Sequence, residues 1–236
     1  MSDEEKVFLK NYDLHDYDVP LASVDMSMFA IIKDRLHVLL VKRKEHPSKG
    51  CQALPGGFVD FKADAVLEDA AHRKLCEKTG VRSPYLEQVG TVGGAKRDPR
   101  GWSITVLYFA LIDFQIVKND DELSEWVEVE KAIQLPLAFD HVDLLKRSVD
   151  RLRSRTRYTA LPLALMPKDF TLTELQRIFE VILGRKLPLK SFRTRLLAAD
   201  VLVPTGRSKI AGKRPAQLYN SKGVSREFEF PRPLEV

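Results

Sequence analysis

Lys74, Glu77 and Lys78 stand at i, i+3 and i+4, a spacing that brings three side chains to one face of an α-helix. Chemistry at such a face would normally be metal-assisted hydrolysis, with carboxylates holding Mg²⁺ through hard oxygen ligands. Here one carboxylate and two ammonium groups occupy it, so ligand loss and charge repulsion both oppose a dication. Asp64 or Glu68 could supply an oxygen from upstream, but neither restores the face. The turn before it, Leu54-Pro-Gly-Gly-Phe-Val-Asp60, suits a different task. Gly56 and Gly57 permit close backbone approach to a diphosphate, and Arg43 with the loop residues Arg97, Asp98 and Arg100 supplies charge around it. Phe58 or Trp102 could stack on an adenine. The competing structural reading is surface ion pairing for Arg43 and Arg100 and core packing for Trp102.

The elements that must position these residues are legible in outline. Val66 to Gly80 reads as an amphipathic helix, with Leu67, Ala70, Ala71 and Leu75 on its apolar side and Gly80 as its C′ residue. Leu21–Ile32 and Leu36–Val41 flank the turn Lys33-Asp34-Arg35 and predict a strand hairpin. Further strands are expected at Gln88–Gly94, Trp102–Ile112 and Trp126–Val129, with Ala95–Gly101 as a polar loop. Strands with a long helix packed on them predict an α/β sandwich.

Bulk properties narrow the classes. At 236 residues the chain can hold one large domain or two modest ones. No apolar run is long enough to span a membrane, and the acidic start Met1-Ser-Asp-Glu-Glu-Lys6 lacks a signal-type apolar core, so a cytoplasmic protein is expected. Cys51 and Cys76 are too few for a disulfide framework and read as small packing residues.

Beyond residue 135 the pattern turns helical. Asp140 to Asp143 reads as an Asx cap with an acidic first turn, followed by the stripe Val142, Leu145, Val149 and Leu152. This helix, 140–157, is expected to leave the first domain and to link or dimerise. Tyr158–Pro167 reads as an ordered linker. Thr171 and Glu174 form a capping box, with Phe170 and Leu175 as its hydrophobic staple, and the helix ends at Gly184. A second helix runs from Leu189 to Ala199, with Leu189, Phe192, Leu196 and Ala199 inward and Lys190, Ser191, Thr194 and Arg195 outward, Arg193 at the flank. A short strand at Val201–Val203, a polar stretch from Thr205 to Arg214 and a strand at Ala216–Tyr219 complete a winged helix-turn-helix. From Arg185 to Arg214 the only acid is Asp200, and this one-sided charge suggests phosphate contact. Lys190, Ser191, Arg193, Thr194 and Arg195 are the candidate groove readers, and Arg207, Lys209, Lys213 and Arg214 the candidate wing contacts.

Taken together, these segments resemble a known family. Gly57 through Arg73-Lys-Leu-Cys-Glu-Lys-Thr-Gly-Val81 resembles the Nudix box, with the Gly-to-Arg interval longer by two residues and Lys74 and Lys78 where the pattern has Glu. Val38-Leu-Leu-Val-Lys-Arg43, the glycine turn and the Arg97–Gly101 loop look like ADP-ribose pyrophosphatase-type Nudix domains. Leu135–His141, Phe170–Gln176, Lys190–Arg193 and Gly212–Tyr219 extend the resemblance to the Nudix-related transcriptional regulators of NAD metabolism. Where that family has a Gly-Arg-Pro wing, this chain reads Gly212-Lys-Arg-Pro215.

The resemblance implies an N-terminal Nudix-fold α/β/α sandwich over 1–157 and a C-terminal winged helix-turn-helix domain over 158–236. It implies a homodimeric repressor of NAD biosynthesis or salvage genes on a palindromic DNA operator. ADP-ribose or a related nucleotide is its expected effector, with no cofactor or metal required and no catalysis. Sugar-use genes are an alternative regulon. Two other classes compete: an active ADP-ribose pyrophosphatase with an accessory domain, and a Nudix-fold protein using its winged helix on RNA or protein.

Overall fold

The computed structural model describes residues 1–81, 85–117, 122–211, 214–223 and 229–234, except the side chains of His15, Ala211 and Arg214. A short helix α1 (Asp3–Asn11) is capped by Ser2 and buries no residue. The sheet that follows contains β1 (Leu21–Ile32), β2 (Arg35–Lys42), β3 (Gln52–Ala53), β4 (Gly56–Phe58), β5 (Tyr85–Gly94), β6 (Ser103–Leu111) and β7 (Ser124–Glu128). Its main path is β3-β2-β1-β6-β5, with β4 paired to β1 and β7 to β2. β1 organises it. Its first half pairs with β4 and its second half with β2, while β6 runs parallel along its other edge.

Alternation on these strands builds two cores. Leu107, Phe109 and Leu111 of β6 join Phe29, Val38 and Leu40 on one face, and Val106, Tyr108 and Ala110 join Val24, Met26 and Met28 on the other. The second face is covered by α2 (Leu67–Thr79) through Ala70, Ala71 and Leu75. Gly80 ends α2 at φ 68°, a left-handed conformation that glycine adopts without strain. Asp69 closes its start, accepting bonds from the amides of Ala65 and Val66 at 3.0 Å. Leu67 was expected inside, but it is 40% exposed: it is the first residue of α2, ahead of the positions that pack on the sheet. Cys51 is exposed and Cys76 half-buried, so the expected packing role fails for Cys51, which lies in the loop before β3.

The first face is covered by α4 (His141–Tyr158), which follows the short α3 (Val129–Ala132). Leu144, Leu145, Val149 and Leu152 pack on the sheet, and Ser148 meets Ser27 of β1 at 2.9 Å. α4 therefore lies in the sandwich rather than leaving it as expected. Its apolar stripe is consumed by the sheet on one side and by Leu161, Leu165 and Ile182 on the other.

The expected cap of α4 is also corrected. Asp140 is its N-cap residue but makes no side-chain cap bond. The linker is ordered as expected, with Leu161–Leu165 in a buried 3-10 turn. α5 (Leu172–Leu183) carries the expected capping box. Thr171 Oγ1 accepts from the Glu174 amide at 3.2 Å, and Glu174 Oε2 accepts from the Thr171 amide at 2.8 Å. Phe170 and Leu175 are both fully buried beside it.

α6 (Leu189–Ala198) packs on α5 through Phe192, which meets Phe179 edge to face at 5.1 Å. Leu189, expected inward, is 50% exposed. The wing is longer than its polar composition suggested. β8 (Leu202–Ala211) and β9 (Arg214–Ser221) form an antiparallel hairpin with a register shift between Pro204 and Ser208. Thr205 to Ala211, read from the sequence only as polar, is thus strand. Phe170 and Tyr219 exchange backbone bonds at 3.1 and 2.8 Å, tying the hairpin to the start of α5.

Candidate ligand pocket and nucleic-acid interface

A pocket of about 240 Å³ opens at the end of the sheet where β4 leaves β1. The sequence-predicted residues Arg43, Gly56, Gly57, Phe58, Arg97, Asp98 and Arg100 all line it. Trp102 does not: it is half-exposed and packs over Gly93, while Ser103, the next residue and the first of β6, takes the pocket side. Phe139, His141, Ser23 and Asp25 were not anticipated as lining. Gly56 is required here by contact, since a Cβ would lie 2.2 Å from Asp25 Oδ1 and 2.6 Å from the Val24 carbonyl oxygen.

Each arginine is held in place by a different device. The Arg43 guanidinium lies 4.7 Å from the Phe139 ring centroid, and its Nε donates to the Pro47 carbonyl at 2.9 Å. Arg100 lies 4.9 Å from the Phe58 ring centroid and donates twice to Asp98, at 3.0 and 2.7 Å. That pairing lowers the Asp98 carboxyl below its ordinary pKa. Arg97 is the most enclosed. It donates to both oxygens of Asp140 at 3.0 and 3.1 Å and lies 3.6 Å from buried Asp25.

His141 completes the floor. Its Nδ1 accepts from the Leu54 amide at 2.9 Å, which places the ring proton on Nε2, 3.8 Å from Asp25 Oδ1. Burial lowers the imidazole pKa, against the opposing pull of Asp25 and Asp140. A neutral ring held by a backbone amide offers a directed donor to a ligand without adding charge. Asp25 had a readable signal, a lone acid between Val24 and Met26 in an apolar strand.

The box helix faces this pocket poorly for metal chemistry. No residue of α2 lines it. A Cβ on Gly57 would lie 3.1 Å from Lys74 Cε, so the Lys74 side chain already packs on the turn. Lys74 Nζ pairs with Glu77 at 3.0 Å, and Arg73 reaches the same carboxylate at 3.4 Å. Asp64, the upstream acid, is buried and doubly bonded to Arg73 at 2.9 and 2.5 Å. Glu77 and Asp64 are thus committed to cations of the chain and Asp69 to the helix cap, and the Lys74 ammonium lies beside the turn that leads into the box. This donor set does not fit the metal.

On the winged helix, Lys190 and Thr194 are exposed one turn apart, and Leu197, not anticipated, continues their stripe. Ser191 is half-buried. Arg195 departs from the expected outward position: it is half-buried and donates to the Pro233 carbonyl, one step around the helix from the stripe. Arg193 is tied to α5 through Thr173 Oγ1 at 3.1 Å. Arg207 and Lys209 lie on β8 and pair with Asp169 at 2.6 Å and Glu174 at 2.9 Å. Lys213 and the side chain of Arg214 lie outside the described residues. Lys186 pairs with Glu180 at 2.9 Å, so acids from α5 and its cap fold back on the basic run.

Comparison with known proteins agrees with both halves. Residues 24–148 match the NUDIX domain, and residues 162–220 match the NrtR DNA-binding winged helix domain. The chain is 55% identical to the ADPR responsive transcriptional repressor NtrR of Acinetobacter baylyi, over 98% of this chain and 94% of that protein. It is 41% identical to Shewanella oneidensis NrtR crystallised with a 27mer DNA, with a TM-score of 0.86 over 91% of this chain and 99% of that one. The NUDIX domain of the same protein, crystallised with ADP ribose, is 42% identical, with a TM-score of 0.58 over 64% of this chain and 99% of that domain. The chain belongs to the NrtR family, in which a Nudix domain is joined to a DNA-binding winged helix.

Proposed function

We propose that this chain is an ADP-ribose-responsive transcriptional repressor that binds operator DNA through its winged helix and ADP-ribose through its Nudix pocket. The relatives named for these partners support the reading, and so does a pocket whose arginines and aromatic rings suit a diphosphate flanked by rings. The observation that carries it is Lys74 packed on the Gly57 turn. An ammonium there suits a sensor and opposes a Mg²⁺-dependent hydrolase.

The finer parts of the reading are proposals of the same kind. The chain acts without cofactor or metal, as a homodimer on a palindrome, on genes of NAD metabolism, in the cytoplasm. No helix among the described residues is long and apolar enough to cross a membrane. Residues 1–157 form the sensing part and 158–236 the DNA-binding part. Ser191 and Thr194 contact the groove, with Lys190, Arg193, Arg207, Lys209, Lys213 and Arg214 on its phosphate flanks and Arg195 seating α6 through Pro233.

One titration tests this. The chain is added to its own upstream region at increasing ADP-ribose with Mg²⁺, while mobility and AMP release are followed together. Expected are two chains per operator, an operator affinity that changes with ADP-ribose, and no AMP. Affinity indifferent to saturating ADP-ribose, or turnover near the ordinary enzymatic rate of about 10 s⁻¹, overturns the reading.

A further inference from the structure

Asp140 sits where the sequence calls for an Asx cap, yet its carboxylate is spent on Arg97. The Asp140 main-chain carbonyl accepts from the amides of Asp143 and Leu144 at 2.9 and 3.1 Å, as the carbonyl of an N-cap residue does whether or not its side chain caps. The side-chain cap, which would bond the amides of Val142 or Asp143, is missing. Asp140 thus has two possible partners, and in this structure it uses the one outside its own helix.

The pocket's charge makes the other partner accessible. Three arginines and two aspartates line it, and Asp140 behind Arg97 brings the acids level with the cations. A diphosphate in this pocket can take the same two-pronged guanidinium that Asp140 holds. Asp25 cannot replace Asp140 as a cap, because it is fixed in β1. His141 carries no charge into the exchange, since its Nδ1 already accepts from Leu54.

The far end of α4 is gripped by the other half of the molecule. Arg153 Nε donates to the Ile182 carbonyl of α5 at 3.2 Å. The amides of Phe230 and Leu234 donate to the carbonyls of Tyr158 and Arg157 at 2.5 and 2.7 Å. A change at the first turn of α4 therefore acts on a rod that ends under the winged helix.

We propose that Asp140 is a positioning residue with two states, paired to Arg97 in the ligand-free protein and capping α4 once a diphosphate has taken Arg97. The exchange reseats α4 and carries the ligand signal to the winged helix. This rests on the reading of the pocket as an ADP-ribose sensor.

Two variants of the full chain separate the states. Asp140→Asn keeps a capping side chain but loses the charge that holds Arg97, so it adopts the ligand-bound state permanently. Asp140→Ala can do neither, so α4 stays uncapped, as it is before ligand enters. Allosteric couplings usually change affinity by about 5- to 150-fold, so agreement within about twofold is decisive. Asp140→Asn should match the operator affinity of liganded wild type, and Asp140→Ala that of free wild type. Neither should respond to ADP-ribose, although both should bind it in calorimetry at least as tightly as wild type.

A variant that keeps the wild-type response overturns the exchange alone. A variant that no longer binds ADP-ribose also overturns it, because Asp140 would then support the pocket rather than compete for it. A wild type that does not respond overturns the exchange and the sensor reading together.

Discussion

Among single residues, Asp64 shows how the box acids became structural. Its buried carboxylate accepts from Arg73 twice and from the Asp60 amide at 2.8 Å. The Arg73 bond, against the opposing effect of burial, lowers its pKa from 3.8 to about 2. The folded value lies below the unfolded one, so the charged form adds stability above pH 3.8 and that stability is lost as pH falls toward about 2. Asp64→Asn should therefore unfold at lower urea than wild type at neutral pH, with the gap closing over that acid window. Equal gaps at neutral pH and at the acid end would show that the carboxylate's charge contributes nothing. The pocket was legible where residue type implied chemistry, as for Arg43, Arg97, Arg100 and the two glycines. It was not legible at His141, whose role depends on the Leu54 amide far away in the chain.

Single elements were readable where their interactions were local. Thr171 and Glu174 lie three residues apart, and the capping box they spell is the one the chain forms. Thr171→Ala should cost about 1 kcal/mol of global stability, as removal of a side-chain N-cap usually does, because α5 is capped at a buried point of the winged helix's core. A chemical denaturation midpoint unchanged within error would count against a cap that matters globally. Asp140 carries the same kind of local signal and behaves differently. Its competitor, Arg97, lies 43 residues away, and no pattern along the helix announces it. The wing failed for a related reason. From Gly206 to Lys209 the strand is exposed and carries no apolar side chain, so alternation of apolar residues was absent and the hairpin's length came from pairing with β9.

For the whole molecule, the formal net charge of +5 is less one-sided on the winged helix than the run from Arg185 to Arg214 implied. Asp169, Glu174 and Glu180 precede that run in sequence but return to it in space, pairing with Arg207, Lys209 and Lys186. The cations of α6 then divide by their surroundings. Lys190 is exposed, whereas Arg195 holds the segment 229–234 against α6 through Pro233. These positions predict different salt behaviour in operator binding. Each phosphate contact adds about 0.9 to the slope of log affinity against log salt. Lys190→Ala should lower that slope by about this amount and leave thermal stability unchanged. Arg195→Ala should lower the melting temperature and weaken binding by a similar factor at every salt concentration, since what it releases is the seat of the helix. Fluorescence anisotropy from about 50 to 200 mM salt spans the range in which such slopes are resolved. If Arg195→Ala reduces the slope as much as Lys190→Ala, Arg195 leaves Pro233 for phosphate in the complex, and its grip on that carbonyl is one that DNA undoes.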